Sequence, residues 1–66
     1  MIVNGEQINL GALSSPGLLD LMEHLELDPR AVAVERNGAI EPRAGWEQVR
    51  LLETDHIELV RFVGGG

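Results

Sequence analysis

The fold of this chain is decided by its last stretch, His56-Ile57-Glu58-Leu59-Val60-Arg61-Phe62-Val63-Gly64-Gly65-Gly66. Residues 56–63 alternate as a β-strand does, which predicts that Ile57 and Leu59 face one side of a sheet while Val60 and Phe62 face the other. The strand runs directly into glycines, which lack side chains and adopt either sign of φ. Three such residues reach roughly 10 Å. We therefore expect residues 64–66 to form a flexible tail that enters a narrow channel in another protein, while a folded domain, residues 1–63, stays outside.

The N-terminal segment predicts a first hairpin. Asn4-Gly5 is the pair most favoured in a two-residue type I′ turn, and this register places Met1 opposite Ile8. The resulting alternation of apolar and polar residues is that of a half-buried antiparallel pair.

A second hairpin is predicted around Asn37-Gly38. A two-residue loop would place Val34 opposite Glu41, which spoils the apolar pattern. We therefore predict a three-residue loop, with Gly38 in the left-handed bulge position and Val34 opposite Ile40. Because Pro42 cannot donate to a β-ladder, the strand that precedes it should be short and lie at an edge.

One helix is predicted between the two hairpins. Ser14-Ser15-Pro16-Gly17 is typical of a helix start, with a serine as the cap and Pro16 at the first helical position. Pro29 disfavours helix at the residue before it, so the helix should end near Glu26. Its apolar stripe, which we assign to the core, consists of Leu18, Leu21, Met22 and Leu25.

These elements predict an α+β fold: a mixed sheet of four to five strands with one helix packed across one face. Trp46 should close one end of the core while its indole N–H donates to a backbone carbonyl. On the face without the helix, Val60 and Phe62 would form an apolar patch beside the tail, which suggests a contact surface for a partner protein. Phe62 folded over a sheet edge is the alternative.

Composition restricts the function. A chain of 66 residues allows one domain, and one so short buries only about 60% of the surface that its unfolded state exposes. The absence of cysteine excludes disulfides and thiolate chemistry, and His24 and His56 lack the spacing of a metal or acid–base site. We therefore predict no metal site. Without a signal peptide or a membrane-spanning run, a cytoplasmic location is expected.

The charge indicates the kind of partner. Eleven acidic residues against five basic ones give a formal charge of −6. Nucleic acids and anionic membranes both favour clustered cations, so neither is expected to bind. A basic protein surface is the better complement.

Four segments together carry a resemblance that covers essentially the whole chain. They are Val3-Asn4-Gly5-Glu6, residues 32–38, Ile40-Glu41-Pro42-Arg43 with Trp46, and residues 57–63 with the glycines behind them. In these segments the chain resembles the sulfur carrier proteins of thiamine thiazole biosynthesis, the ThiS family of the ubiquitin-like β-grasp superfamily. One departure is the turn Glu53-Thr54-Asp55, which in the family is commonly acidic-Gly-acidic, so its geometry is in question.

The resemblance implies a β-grasp fold and a role for the terminal carboxylate of Gly66. An E1-like adenylyltransferase of the ThiF type would adenylate it with ATP and Mg²⁺, and sulfur from a persulfide protein would convert it to a thiocarboxylate. A thiazole synthase of the ThiG type would then take the sulfur. The chain itself would bind no cofactor and act as a monomeric co-substrate rather than as an enzyme. The predicted partner-binding residues are Gly64, Gly65, Gly66, Phe62 and Val60.

Two other interpretations remain open on the sequence. The small subunit of molybdopterin synthase is similar in fold and uses the same tail chemistry, although the segment from Pro42-Arg43 to Trp46 favours the thiamine branch. The other is a β-grasp interaction module whose glycines are incidental. Deleting Gly65 and Gly66 separates a carrier from such a module, because only the carrier would lose its activity.

Overall fold

The computed structural model describes residues 1–62. The predicted tail and its boundary after residue 63 lie outside the described residues. The strands are β1 (Ile2–Val3), β2 (Glu6–Gln7), β3 (Val32–Arg36), β4 (Ala39–Ile40) and β5 (His56–Arg61), the helix is α1 (Leu18–His24), and 3₁₀ turns occupy Leu10–Ala12, Pro29–Ala31 and Arg43–Gln48.

The five strands form one mixed sheet in the order β2-β1-β5-β3-β4. The last strand lies at its centre, parallel to β1 and antiparallel to β3. The predicted α+β class is confirmed, and β4 is short and at an edge, as Pro42 predicted. The central position of β5 means that the strand leading to the tail is paired on both sides.

The core lies between α1 and one face of the sheet. The stripe of α1 packs there as predicted: Leu18, Leu21 and Met22 are buried, and Leu25 is half-buried against them. Buried apolar residues of the sheet complete the core and include Met1, Val3, Val32, Val34, Ile57 and Leu59. Within residues 1–62, the helix covers only this face. The other face, which carries Ile40, Val60 and Phe62, is exposed, and we call it the open face. Among the described residues, no helix has the length and apolar character needed to cross a membrane.

The first hairpin has the predicted register. The Ile8 N–H donates to the Met1 carbonyl at 2.9 Å, and the terminal amine of Met1 donates to the Ile8 carbonyl at 3.0 Å. Asn4 and Gly5 have φ of 50° and 83°, as a type I′ turn requires.

The second hairpin differs from the prediction. Asn37 and Gly38 have φ of 52° and 86°, and Glu35 pairs with Ile40, so the loop is a two-residue type I′ turn and not a three-residue bulge. The Glu41 N–H donates to the Val34 carbonyl at 2.9 Å. The prediction failed because it required Ile40 to face the core, whereas its side chain is 70% exposed on the open face.

The helix start also differs from the prediction. Gly17 occupies the N-cap position, and Pro16 precedes the helix. Neither serine caps the helix. The hydroxyls of Ser14 and Ser15 instead donate to the Asp20 carboxylate at 3.1 and 2.6 Å, and hydrogen bonds to a charged acceptor are stronger than those between neutral groups.

The helix ends at His24, earlier than predicted, in a Schellman motif. The Leu27 N–H donates to the Met22 carbonyl at 2.8 Å and the Glu26 N–H to the Glu23 carbonyl at 3.0 Å. Glu26 takes the left-handed position of this motif, with φ of 58°. No glycine marks this position in the sequence, so the motif was not predicted.

Trp46 closes one end of the core as predicted. Its indole N–H donates to the Glu41 carbonyl at 2.9 Å, and its side chain is buried. The Arg43 guanidinium lies 4.4 Å from the ring centroid and donates to the carbonyls of Pro29 and Val32. The Arg-Trp pair that supports the family resemblance therefore has a structural role.

Candidate functional site

The two faces of β5 differ in environment. Ile57 and Leu59 are buried under α1, at 1% and 7% exposure, whereas Val60 and Phe62 point to the open face and are 57% and 59% exposed. The predicted division of the strand is confirmed, and Phe62 does not fold into the core. Their role in binding a partner stays a prediction.

The side chains of Val60 and Phe62 project from the sheet because their neighbours on the adjacent strand are small. Val60 lies opposite Ala33, and the Phe62 N–H donates to the Ala31 carbonyl at 2.8 Å. Ile40 is on the same face. It pairs with Glu35, which pairs with Glu58 of β5, and opposite residues of paired strands share a face. The open face thus presents an apolar patch beside the last described residue of the chain.

Two carboxylates border this apolar patch. Glu35 on β3 lies directly opposite Glu58 on β5, an arrangement in which like charges repel. No ion pair within residues 1–62 involves either glutamate. The open face therefore combines exposed apolar groups with unneutralised negative charge.

At the start of β5, a buried carboxylate organises the chain. Asp55 is 2% exposed. It accepts hydrogen bonds from Asn37 Nδ2 and the Leu52 N–H, both at 2.9 Å, and from Arg36 Nε at 3.1 Å. Burial opposes ionisation, but the bonds from Asn37 and Leu52 and the charge of Arg36 outweigh it, so the pKa of Asp55 lies below its ordinary value.

Asp55 also determines the geometry of the turn before β5, Glu53-Thr54-Asp55. The Asp55 N–H donates to the Leu52 carbonyl at 3.0 Å, while the Asp55 side chain accepts from the Leu52 N–H. Thr54, at the position where the family resemblance implies glycine, does not have a positive φ. The turn therefore forms without glycine, and no local sequence pattern indicates this use of Asp55.

Near the end of β5, the side chain of Asn4 takes the place of a strand neighbour. The Leu59 N–H donates to Asn4 Oδ1 at 2.8 Å, and Asn4 Nδ2 donates to the Leu59 carbonyl at 3.4 Å. Sequence reasoning assigned Asn4 only to the turn. A bond between residues 55 positions apart leaves no mark on a local pattern.

The other groups considered within residues 1–62 are the two histidines and a cleft beside α1. His24 and His56 are exposed. Within residues 1–62, no three His, Asp or Glu side chains are grouped so as to hold a metal ion. A cleft of about 370 Å³ lies between the start of α1 and residues 47–50, and neither Val60 nor Phe62 lines it. Gly64, Gly65 and Gly66 lie outside the described residues, so their predicted roles stay predictions.

Comparison with known proteins identifies relatives of the whole chain. A thiazole synthase of Paramagnetospirillum magneticum is 41% identical over 66 residues, which is 100% of this chain and 20% of that protein. A thiazole synthase of Magnetococcus marinus is 44% identical over 64 residues and is matched over 19% of its length. The chain thus spans about a fifth of the length of these two relatives.

Two further relatives are similar in size to this chain. The sulfur carrier protein ThiS of Bacillus subtilis is 43% identical over 47 residues, 71% of each chain. The crystal structure of a thiamine biosynthesis protein (ThiS) from Geobacter metallireducens superimposes with a TM-score of 0.78 at 27% identity, covering 98% of this chain and 96% of that one. The ThiS family model matches residues 1–66. With this match over its full length and the shared β-grasp architecture, the chain belongs to the ThiS family.

Proposed function

We propose that this chain is a sulfur carrier of thiamine biosynthesis, whose Gly66 carboxylate is adenylated, converted to a thiocarboxylate and used as the sulfur source for the thiazole ring. The observation that carries the proposal is the family match over residues 1–66, which includes the terminal glycines. The similarity to the Bacillus subtilis sulfur carrier supports it. The family also favours the thiamine branch over molybdopterin synthase.

Activation is needed because a carboxylate is a poor acyl donor. A Gly66 oxygen attacks the α-phosphorus of ATP on a partner adenylyltransferase of the ThiF type, with Mg²⁺, and pyrophosphate leaves. The terminal sulfur of a protein persulfide then attacks the acyl carbon and expels AMP. A thiol cleaves the resulting S–S bond, which leaves the thiocarboxylate on Gly66 and the two former thiols joined as a disulfide.

The chain acts in this scheme as a co-substrate that partner enzymes recognise. It has no cysteine, so the sulfur nucleophile and the reducing thiol come from other proteins. Its contribution is to bind, orient and deliver its carboxylate. We place this chemistry in the cytoplasm, with a thiazole synthase of the ThiG type as the sulfur acceptor; the similarity to two thiazole synthases supports that acceptor.

The open face is the surface that we propose partners bind. Val60 and Phe62 are exposed and lie directly ahead of the tail, so a partner that covers them also receives the glycines. Glu35 and Glu58 favour a partner surface with basic side chains near its apolar contact, which agrees with the formal charge of −6.

The direct test is the mass of the intact protein. After incubation with ATP, Mg²⁺, the cognate adenylyltransferase and a persulfide source, the mass should rise by one oxygen-to-sulfur exchange at Gly66. An unchanged mass, under conditions in which the Bacillus subtilis carrier reacts with its own enzymes, would contradict the proposal.

Two controls define the reacting group. Deleting Gly65 and Gly66 should abolish the mass change and leave the midpoint of thermal unfolding unaltered. The intact mass of the protein isolated from its native cell should place Gly66 at the end of the chain. A native protein in which Gly66 is followed by further residues, and which still supplies sulfur, would refute the role of this carboxylate.

A further inference from the structure

The end of β5 is fixed differently on its two sides. On the β3 side, antiparallel pairing continues through Arg61 opposite Val32 and on to the Phe62 N–H, which donates to Ala31. On the β1 side, backbone pairing is short, because β1 ends at Val3 and the chain turns at Asn4. The Asn4 N–H, which follows β1 directly, donates to the Ile57 carbonyl at 2.9 Å. It is the last backbone donor on the β1 side that reaches β5 within residues 1–62.

The Asn4 side chain extends that pairing by one position. In a parallel ladder the next groups of β5 to be paired, after the Ile57 carbonyl, are the N–H and carbonyl of Leu59. Both are satisfied by the Asn4 carboxamide, at 2.8 and 3.4 Å. Within residues 1–62, no further hydrogen bond joins β5 to this side of the sheet beyond Leu59.

We propose that Asn4 is a positioning residue for the end of β5. Its carboxamide fixes Leu59 on the β1 side and so holds the part of β5 from which Val60 and Phe62 project. The inference rests on the proposed function, because a fixed strand end matters only if a partner must bind Val60 and Phe62 while it receives the terminal carboxylate.

The advantage to the carrier is a smaller entropy loss on binding. A partner that receives a strand already held in one direction does not have to order it, and preorganisation of this kind increases affinity. Chemistry at Gly66 takes place after the tail has been seated. Loss of the Asn4 side chain should therefore raise the KM for the carrier and leave kcat unchanged.

The turn itself allows a clean substitution. Asn4 has φ of 50°, a conformation that glycine and aspartate tolerate and most other residues do not. Asn4→Gly keeps the turn and removes both bonds to Leu59. Asn4→Asp restores an acceptor for the Leu59 N–H, the shorter of the two bonds, so it is the conservative variant.

The chain offers a matched control in Asn37. This residue also begins an Asn-Gly turn, with φ of 52°, and its Oδ1 accepts from a backbone N–H of β5 at 2.8 Å. That donor is His56, at the start of the strand. Asn37→Gly should therefore reduce stability, and it should leave the KM of the folded carrier unchanged.

The experiment measures ATP–pyrophosphate exchange by the cognate adenylyltransferase at a temperature where circular dichroism shows every variant folded. Asn4→Gly should raise the KM for the carrier about two- to tenfold, the range expected for loss of the 2.8 Å bond to the Leu59 N–H, since the 3.4 Å bond is weak. Asn4→Asp should recover most of that change. A KM unchanged in Asn4→Gly, or raised equally in Asn37→Gly, would overturn the proposal.

Amide hydrogen exchange read by NMR provides a second measurement that needs no partner. The Leu59 amide should exchange faster in Asn4→Gly, while the Val60 amide, which pairs with Ala33 of β3, keeps its rate. If no carrier is activated, the proposed function fails, and this measurement alone decides the positioning. An unaltered Leu59 rate would show that Asn4 does not fix the end of β5.

Discussion

The start and the end of β5 are held by two Asn-Gly turns with nearly the same backbone but different surroundings. Their asparagines have φ of 52° and 50°, and each accepts a 2.8 Å bond from an N–H of β5. At the start, Asn37 also donates to the buried carboxylate of Asp55, which pairs with Arg36. At the end, the Asn4 side chain bonds to Leu59 and, within residues 1–62, to no charged group.

The difference shows that a turn's sequence does not determine its role. The Asn37 turn is part of a buried, charge-assisted network in which several groups depend on one carboxylate, so its loss should affect the whole fold. The Asn4 side chain contributes two hydrogen bonds between uncharged groups near the end of the strand. Its loss should affect the end of β5 far more than global stability.

The largest expected effect is at the start of β5. Asp55→Ala removes the acceptor for Asn37, Arg36 and the Leu52 N–H, and stranding such buried donors costs roughly 3 kcal/mol. Urea denaturation measures this loss in the free energy of unfolding. The control is Glu23→Ala on the exposed side of α1, which should change it by no more than about 0.5 kcal/mol. Equal effects would show that Asp55 does not stabilise the start of the strand.

Lowering the pH should weaken the hydrogen-bond network around Asp55. Because the pKa of Asp55 is lowered in the folded state, the unfolded chain binds the proton first as the pH falls. The stabilisation is complete above the ordinary value of 3.8 and is lost as the pH drops through the lower folded value. Urea denaturation from pH 6 downwards should show this decline, and Asp55→Asn should flatten it. A decline of the same steepness in the variant would assign the acid sensitivity to other carboxylates.

At the end of β5, the main effect should be on binding. Phe62→Ala removes an apolar side chain that is 59% exposed and should weaken binding to the adenylyltransferase about tenfold, as loss of a moderate interface contact does. The unfolding midpoint should hardly change. Leu52→Ala is the matched control, since Leu52 is 56% exposed but lies in the turn before β5. Lower stability with unchanged affinity in Phe62→Ala would mean that Phe62 supports the fold.

The smallest effect should come from the facing glutamates. Glu58→Gln relieves the repulsion with Glu35 and should raise the free energy of unfolding by about 0.2–1 kcal/mol. The same change should weaken binding to a basic partner and reduce its dependence on salt. Glu6→Gln, on the edge strand β2, removes an equal charge away from the open face and is the control. Stability and affinity that rise together would contradict the proposed contact with basic side chains.

Sequence patterns predicted much of what each end of β5 requires. The alternation of residues 56–62 correctly separated Ile57 and Leu59 from Val60 and Phe62. Asn4-Gly5 correctly predicted a type I′ turn. At Asn37-Gly38 the local turn rule also favoured a two-residue loop. The assumption that Ile40 faces the core led instead to the wrong prediction of a three-residue loop. The structure exposes Ile40 at 70%, since an edge strand next to an open face need not bury its apolar residue.

The local sequence by itself determined that the two Asn-Gly pairs form tight turns, which face each β5 residue occupies, and the apolar stripe of the helix. These depend on φ preferences and on periods of two or 3.6 residues, which neighbouring residues set. Only the tertiary structure decided that β5 lies between β1 and β3, that Asp55 is buried, and that Asn4 reaches Leu59. Those features join residues 19 and 55 positions apart, and such contacts exist only after the strands have been brought together in one order.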